Sequence, residues 1–457
     1  MYLDEKGNFV PERSLDGILS VATPGLVAGL VEIHRKWGKL PLAKVLEPAI
    51  EIAEKGLVVT PALAEALGKR RDLLAKFPAS ARIFLRNGEP YRVGDRLVQK
   101  DLARTLRAIA ARGRAGFYEG SVAHSILAAS RKLHGILEAK DLAAYRVKWR
   151  EPLHGTFRGL ELYSMPPPSS GGIHVLEILN TLEKDPLKEF GVLSTDAIHR
   201  TAAAMQMAYA DRAVYPGDPD FVKVPTSWLT SKEYAAQRRA ELDEKRARPS
   251  AQVRAGVEPK REHPETTHFS ILDGEGNAVS STQTINFAFG SGVVADGTGV
   301  LLNDEMDDFS AKPGAANAYG ALGGDANSIA PGKTPLSSMS PTIVVKDRLP
   351  VMAVGAPGGT RIITCTAQTI LNRLVYDLSP FESVAAVRFH HQWMPDRLDV
   401  EAPGPGDAVV EELRKRGWSV DVREGAIPCR VELVTRNAEG LLTAVSDPRD
   451  AGRAVAR

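Results

Sequence analysis

Residues 265–284, with the sequence ETTHFSILDGEGNAVSSTQT, decide the fold. Apolar and polar residues alternate with a period of two over 266–272, and a second β-type run covers 278–284. The segment between them, 273–277, reads DGEGN and is a turn sequence. The pattern therefore predicts a β-hairpin whose first strand opens at Thr266.

The segment in front of this hairpin differs sharply in character. Residues 243–265 are rich in charge, contain Pro249, Pro259 and Pro264, and show no apolar period. Such a composition predicts an exposed segment without regular structure. An exposed segment that runs straight into a strand is a place where a chain can be cut.

A threonine at the start of this strand has a specific chemical use. A hydroxyl is a weak nucleophile unless a base takes its proton, and the free α-amine of an N-terminal threonine can be that base. The pKa of an α-amine, about 7.7–8.0, suits work near neutral pH. Because an internal threonine lacks this amine, the chemistry requires cleavage between Glu265 and Thr266. A threonine that opens a strand is by itself most often only a strand residue.

Elsewhere the periodicity alternates between helix and strand. It predicts helices at 26–54, 101–112, 194–213, 362–376 and 407–416, the first interrupted near Gly38 and by Pro41 and Pro48. It predicts further strands at 341–346, 350–355, 418–422, 431–435 and 441–445. The proline-rich stretch 163–172 is predicted to be neither a helix nor a central strand. Hairpins without regular βαβ units favour an α+β fold of stacked layers.

The composition excludes several classes of protein. The 457 residues contain 58 basic and 56 acidic side chains of mixed distribution, which does not indicate a nucleic-acid or anionic-membrane partner. No apolar run approaches the roughly 20 residues that span a bilayer. Cys365 and Cys429 lack metal-site spacing, and two unrelated buried thiols are favoured over a disulfide. His390 and His391 are adjacent in a predicted strand and point to opposite faces, which favours a structural role over a metal site.

Several longer motifs occur in a defined order. They are PPPSSGG at 166–172, TTHFS at 266–270, LLNDEMDDFS at 301–310, PLSSMSPT at 335–342, GAPGGTR at 355–361 and SDPR at 446–449. In this order and spacing the chain resembles the γ-glutamyltranspeptidases, also called glutathione hydrolases. The resemblance implies an α+β fold of four layers, αββα, of the N-terminal nucleophile hydrolase type. It also implies self-cleavage into a large subunit, 1–265, and a small subunit, 266–457, that together form one structural domain.

The resemblance implies catalytic roles for four residues. Thr266 would attack the carbonyl of Glu265 and later the γ-amide of the substrate, which yields a γ-glutamyl ester. Thr284 would hydrogen-bond Thr266 and position its hydroxyl. Gly358 and Gly359 would present backbone N–H groups to the developing oxyanion, a task that needs close backbone approach. His268 is expected to pack against the strands and not to act as the base.

The resemblance also implies a site for the glutamyl group. Its α-ammonium would be held by the carboxylates of Glu305 and Asp308, with Asn286 as a neutral polar ligand. The hydroxyls of Ser337 and Ser338 would donate to its α-carboxylate. Residues 313–324, with Tyr319, resemble a loop that covers the glutamyl pocket in part of the family.

Further expectations concern partners and location. The implied substrates are glutathione and other γ-glutamyl compounds, the acceptors are water, amino acids or peptides, and neither a metal nor an organic cofactor is required. The chain opens at Met1 without a signal-peptide pattern. Family members carry a preceding segment with a signal or anchor and an arginine that pairs with the substrate carboxylate. The chain is then either a fragment of a longer protein of the periplasm or cell exterior, or a truncated product.

Two rival functions stay open at this stage. The first is a cephalosporin (glutaryl) acylase of the same fold, whose substrate has no α-amino group and does not need the paired carboxylates Glu305 and Asp308. The second is an unprocessed, inactive homologue that only binds.

Overall fold

The computed structural model describes residues 1–254, 266–312, 324–450 and 452–456. The chain forms two compact units, each built from two stretches of sequence. The first comprises Met1–Trp149 and Thr284–Asp307, and the second comprises Arg150–Gln283 and Asp308–Arg457. These units are defined by the packing of the chain. The predicted boundary between residues 265 and 266 is a different kind of boundary, a cut in the backbone, and it stays a prediction.

The first unit is mainly helical. Its helices are Glu12–Leu15, Ile18–Ser20 (3-10), Leu26–Trp37, Leu42–Lys55, Pro61–Lys69, Arg71–Lys76, Pro78–Phe84, Lys100–Arg112, Ala115–Tyr118, Gly120–Lys132 and Ala139–Ala144. Its short strands are Leu57–Val58, Leu85–Arg86, Glu89–Pro90, Arg96–Leu97, Val294–Ala295 and Val300–Leu301. The predicted break between residues 38 and 41 is confirmed, whereas Pro48 lies inside the second long helix and does not interrupt it.

The second unit is built on a six-stranded antiparallel sheet. We label its strands and those of the hairpin β1 (Leu153–Phe157), β2 (Leu160–Ser164), β3 (Thr267–Leu272), β4 (Ala278–Gln283), β5 (Thr342–Lys346), β6 (Leu349–Gly355), β7 (Glu432–Arg436) and β8 (Leu442–Ser446). The order in the large sheet is β8-β7-β6-β5-β2-β1, and every neighbouring pair is antiparallel. Strands β3 and β4 form the separate hairpin, with Thr267 opposite Gln283.

Helices pack on one face of this sheet, and the hairpin packs on the other face against β5, β6 and β7. We label the main helices α1 (Gly171–Leu182), α2 (Thr195–Arg212) and α3 (Arg361–Leu374); α1 packs on both others, and α3 packs on β6. Successive side chains of β6 point to opposite layers. Met352 and Val354 pack in the core on the helix side. Ala353 between them packs with Leu272 of β3. The unit is therefore a helix–sheet–sheet stack.

The remaining elements of the second unit lie around this stack. They are the helices Leu187–Phe190, Thr226–Leu229, Lys232–Glu241, Ser250–Gln252 (3-10), Asp325–Asn327 (3-10), Pro380–Ala385 and Asp407–Lys415, and the strands Phe389–His390, Leu398–Glu401 and Val420–Arg423 of a three-stranded sheet. A 3-10 helix, Glu305–Asp308, follows the strands of the first unit. In the described ranges, no helix combines the length and apolar character needed to cross a bilayer.

Most sequence-based elements are confirmed, with one clear correction. The hairpin, the helices near 101–112, 194–213, 362–376 and 407–416, and the later strands all form within a few residues of the expected bounds. The prediction for 163–172 is wrong at both ends: Tyr163 and Ser164 complete β2, which lies between two neighbours in the sheet, and Gly171 and Gly172 begin α1. Residues 165–170, which include the three prolines, lie outside helix and strand.

The two cysteines behave partly as expected. Both Cys365 and Cys429 are buried free thiols. They are not unrelated, however, because their side chains interact with each other, and this interaction with Cys429 lowers the pKa of Cys365 against the opposing effect of burial. The thiols therefore belong to one packed region of the second unit.

Helix α1 offers a test of this core, because all of its residues are buried. Leu179→Ala removes a side chain that is 0% exposed. We expect a loss of about 2–5 kcal/mol in the free energy of unfolding, from lost burial and a residual cavity. Leu349→Ala, at a position that is 52% exposed, is the control and should change it by less than about 0.5 kcal/mol. Urea unfolding measures both, and equal shifts would refute the layer arrangement.

Candidate active site

Thr284 and Asn286 are held by a local network in the first unit. The backbone N–H of Asn286 donates to Thr284 Oγ at 2.8 Å, and its side-chain Nδ2 donates to the carbonyl of Asp304 at 3.0 Å. Phe287 N–H donates to Asp304 Oδ1 at 3.0 Å. Thr284 Oγ therefore acts as a hydrogen-bond acceptor in this network.

Glu305 opens the 3-10 helix and carries an unusual carboxylate. Its Oε1 atom is buried and has no hydrogen-bond partner among the described residues. Burial, and secondarily the negative charge of Asp304, raises the pKa of Glu305 well above its ordinary value. A carboxylate in this situation is stabilised by an added cation, which supplies both charge and a donor.

The acidic run 304–308 divides into structural and accessible members. Asp304 is buried and accepts from Phe287, and Asp307 is buried and accepts from Ser14 Oγ at 2.6 Å. Only Glu305 and Asp308 remain partly accessible among the five. These are the two residues that the resemblance assigns to the substrate ammonium.

Thr266 immediately precedes β3 in the second unit. Burial alternates along this strand: His268 and Leu272 are buried, whereas Phe269 and Ile271 are exposed. Because side chains two residues apart share a face, Thr266 belongs to the inward-facing set. Glu265, on the other side of the predicted cut, lies outside the described residues.

The Gly358–Gly359 turn connects β6 to α3. Both residues have positive φ angles, +145° and +56°, and a Cβ at Gly358 would lie 2.8 Å from the carbonyl oxygen of Pro428. Their carbonyls accept the N–H groups of Arg361 and Ile362, at 3.1 and 3.2 Å, in the first turn of α3. The backbone angle favours glycine at both positions, and the lack of space requires it at Gly358 as well. The turn lies at a helix N-terminus, where partial positive charge favours an anion.

The Ser337–Ser338 pair is fixed by α2 and by the start of α1. The carbonyl of Ser337 accepts from the backbone N–H and the Oγ of Ser170, at 2.9 and 2.8 Å. Arg212, at the end of α2, donates to Ser170 Oγ at 3.0 Å and to Ser338 Oγ at 2.9 Å. Because the buried guanidinium occupies an acceptor site of Ser338, the hydroxyl hydrogen of Ser338 is available for a carboxylate.

Asn327 ties Asp308 to the same segment. Its Nδ2 donates to the carbonyl of Asp308 at 2.7 Å, and its Oδ1 accepts from Leu336 N–H at 2.9 Å. One buried amide therefore fixes the backbone next to two predicted ligands, Asp308 and Ser337. Tyr319 lies outside the described residues, as does all of the predicted covering loop except Gly324.

The paired histidines are core residues. His390 bonds to Thr364 Oγ at 2.9 Å and to Gln392 Oε1 at 2.8 Å, and His391 Nδ1 accepts from Trp393 N–H at 3.0 Å. Burial lowers the pKa of His390 well below its ordinary value, so its ring is neutral. Within the residues described, no group of three or more His, Cys, Asp or Glu side chains could hold a metal ion.

A comparison with known families decides the identity. The profile of the family described as Gamma-glutamyltranspeptidase matches residues 1–457. The chain belongs to the γ-glutamyltranspeptidase family. The fold of the chain is accordingly the α+β fold of the N-terminal nucleophile hydrolases, as the motifs predict.

Individual relatives of this γ-glutamyltranspeptidase family member include glutathione hydrolases and acylases. The glutathione hydrolase proenzyme of Escherichia coli (strain K12) is 46% identical over 450 residues, which cover 98% of this chain and 77% of the relative. The acylase ACY 1 proenzyme of Pseudomonas sp. (strain SE83) is 38% identical over 444 residues, covering 97% and 76%. The crystal structure of cephalosporin acylase from Bacillus halodurans superposes with a TM-score of 0.84 at 28% identity, covering 96% and 78%.

The sequence analysis missed two residues that hold predicted ligands in place, Arg212 and Asn327. Arg212 ends a helix whose cap and length were predicted, but its contacts to Ser170 and Ser338 span 42 and 126 residues. The available sequence signal for Arg212 is a basic residue in the last turn of a predicted helix. Asn327 lies in a loop sequence without periodicity, and no local pattern points to it.

Proposed function

We propose that this chain is a self-cleaving γ-glutamyltranspeptidase that hydrolyses glutathione and related γ-glutamyl amides or transfers their γ-glutamyl group to amino acids and peptides. The observation that carries the proposal within the site is Glu305, whose buried carboxylate oxygen has no partner in the described chain and suits an ammonium group. The glutathione hydrolase proenzyme of Escherichia coli, which matches 98% of the chain at 46% identity, supplies the reaction class.

The first reaction is the cut that creates the nucleophile. Thr266 Oγ attacks the carbonyl carbon of Glu265, the peptide C–N bond breaks, and the acyl group moves from nitrogen to oxygen as an ester. Water then hydrolyses the ester, which leaves a carboxylate on Glu265 and a free α-amine on Thr266. The 265 residues before the cut and the 192 that begin at Thr266 make up the 457 residues of the chain. The product is a heterodimer of a large and a small subunit.

Turnover uses the same hydroxyl with its new base. The α-amine of Thr266 takes the hydroxyl proton as Oγ attacks the γ-carbonyl, and then gives that proton to the leaving amine. Thr284 donates a hydrogen bond that orients Thr266. The N–H groups of Gly358 and Gly359 stabilise the oxyanion, a contribution of about 2.7–4 kcal/mol per donor in comparable sites. Water or an acceptor amine then attacks the ester and regenerates the free threonine.

Recognition of the glutamyl group rests on charge. Glu305 and Asp308 bind the α-ammonium, and Asn286 adds a neutral contact. Ser337 and Ser338 donate to the α-carboxylate, with Arg212 behind Ser338 to orient its hydroxyl and add positive charge. We place the mature heterodimer in the periplasm or outside the cell, where the resemblance places the family.

Thr266→Ala is the direct test of the nucleophile. We expect an uncleaved, inactive chain, because the hydroxyl is needed for both reactions. Thr267→Ala is the matched control: this neighbour has the same side chain but is exposed, and its variant should cleave and turn over normally. Gel mobility and release of p-nitroaniline from γ-glutamyl-p-nitroanilide measure the two steps. Normal cleavage of Thr266→Ala would refute the assignment.

The raised pKa of Glu305 predicts how substrate affinity changes with pH. Below that pKa the carboxyl group is neutral and binds an ammonium poorly, so KM should be high at pH 6 and fall as the pH rises and Glu305 ionises. Glu305→Gln should show a high KM that does not change over this range. The control is Glu275→Gln, at an exposed turn. Steady-state kinetics from pH 6 to 8.5 test this; a KM of Glu305→Gln that falls as in the wild type would contradict it.

The acylase alternative is favoured by a specific observation, the close superposition on cephalosporin acylase. A glutaryl group lacks the α-ammonium, so it would leave Glu305 buried without a counter-charge. We therefore expect hydrolysis of γ-glutamyl-p-nitroanilide to exceed that of glutaryl-p-nitroanilide in kcat/KM by at least about 100-fold, as expected when a built polar site loses its partner. The opposite preference would establish the acylase.

A further inference from the structure

His268 lies on β3, two residues after Thr266 and on the same face of the strand. Its side chain is buried at 7% exposure, in contact with β4 and with the end of β6. Burial lowers the pKa of His268 to about 3, so the ring is neutral at every pH at which the protein works. A neutral imidazole has one donor nitrogen and one acceptor nitrogen.

The hydrogen bonds around the ring fix its tautomer. Ser270 Oγ donates its hydrogen to the carbonyl of Glu432 at 3.1 Å, and a carbonyl can only accept. Ser270 Oγ must therefore accept from His268 Nε2, which lies 3.0 Å away and carries the proton. Nδ1 then holds the lone pair and accepts from Thr282 Oγ at 2.8 Å. The chain of bonds runs in one direction from β4 through β3 to β7.

The ring also fills a space left by a glycine. A Cβ on Gly355 would lie 2.3 Å from His268 Cε1 and 2.8 Å from each ring nitrogen. The imidazole therefore lies directly against the backbone of the last residue of β6. The next residues lead into the Gly358–Gly359 turn, so the ring is the contact between β3 and β6 that lies nearest to that turn.

We propose that His268 is a positioning residue, which sets the distance between the Thr266 hydroxyl and the Gly358–Gly359 N–H groups by spacing β3 from the end of β6. The inference rests on the proposed function of Thr266 and of this turn. The ring is not a base for Thr266, because both of its nitrogens are engaged by Thr282 and Ser270 and its lone pair is occupied. It acts through shape and through a directed hydrogen-bond chain.

Misplacement of reacting groups by as little as 1 Å lowers rates by about 100-fold. His268→Phe fills the space but breaks the hydrogen-bond chain. His268→Gln keeps a hydrogen-bond acceptor and a donor on a side chain without a ring. We expect kcat to fall by about 100-fold in the Phe variant and by less than about 10-fold in the Gln variant. KM should stay within about twofold in both, because the ligands of the substrate's ammonium and carboxylate are untouched.

The matched control is Phe269→Ala, at the neighbouring position on the opposite, exposed face of β3. It should leave kcat and self-cleavage unchanged. The acid limb of the pH profile of kcat/KM, to which the Thr266 amine and Glu305 both contribute, should be the same in wild type and His268→Gln. A shifted limb would assign a proton-transfer role to His268 and overturn the proposal.

A second pair of variants tests the contact with Gly355. Gly355→Ala forces the ring away from β6 and should slow turnover about as much as His268→Phe does. In His268→Ala the space is empty, so adding Gly355→Ala should cause little further loss. Strict additivity of the two losses would overturn the proposal, since residues that act through one contact couple in a double-mutant cycle.

Self-cleavage supplies a readout that needs no added substrate. Its rate should fall in the same variants in the same order, because it uses the same hydroxyl. If the wild type cleaves itself but does not hydrolyse γ-glutamyl amides, the proposed function fails while the positioning role is still tested on cleavage. Wild-type rates in His268→Phe would overturn the positioning role alone. Equal losses in the Phe and Gln variants with a lowered melting temperature would overturn it in favour of a purely structural residue.

Discussion

Strand β6 of the six-stranded sheet is packed on both faces, and the surroundings of Thr266 depend on that constraint. A strand covered on both sides must present large apolar residues to one layer and small ones to a layer that approaches closely. Strand β6 does this with Met352 and Val354 on the helix side. On the other side Ala353 packs against Leu272, and Gly355 leaves room for His268. Strand β3 can then pack on the sheet along its length, beginning at Thr267 next to Thr266.

The polar side chains of the predicted site are also fixed by close neighbours. Two of the predicted site residues are held by a neighbour that occupies one hydrogen-bonding position of the side chain. Asn286 N–H does this for Thr284, and Arg212 does it for Ser338. Glu305 differs, since its Oε1 is buried and has no partner in the described chain. In the proposed function this oxygen is the feature that favours a substrate with a cation, because the fold alone does not choose between glutamyl and glutaryl groups.

The sequence predicted the elements with strong local patterns and missed those that depend on distant contacts. The hairpin was found from its period of two and its DGEGN turn, and α2 from its cap at Ser194, which accepts from Ala197 N–H. The end of β2 and the start of α1 were missed because the prolines at 166–168 dominate the local pattern. Glu305 and Asp308 came from the family motif, and no local rule separates them from Asp304 and Asp307. Their separation needs the packing of Ser14 and Phe287 on the other two.

The central claim is that Thr266 works as an N-terminal residue, and the mass of the active protein tests it most directly. Denaturing mass spectrometry of purified protein that hydrolyses γ-glutamyl-p-nitroanilide should show two chains, the smaller beginning at Thr266. A single chain of the full 49.3 kDa in a preparation with full activity would contradict the account, because an internal threonine has no α-amine to serve as its base.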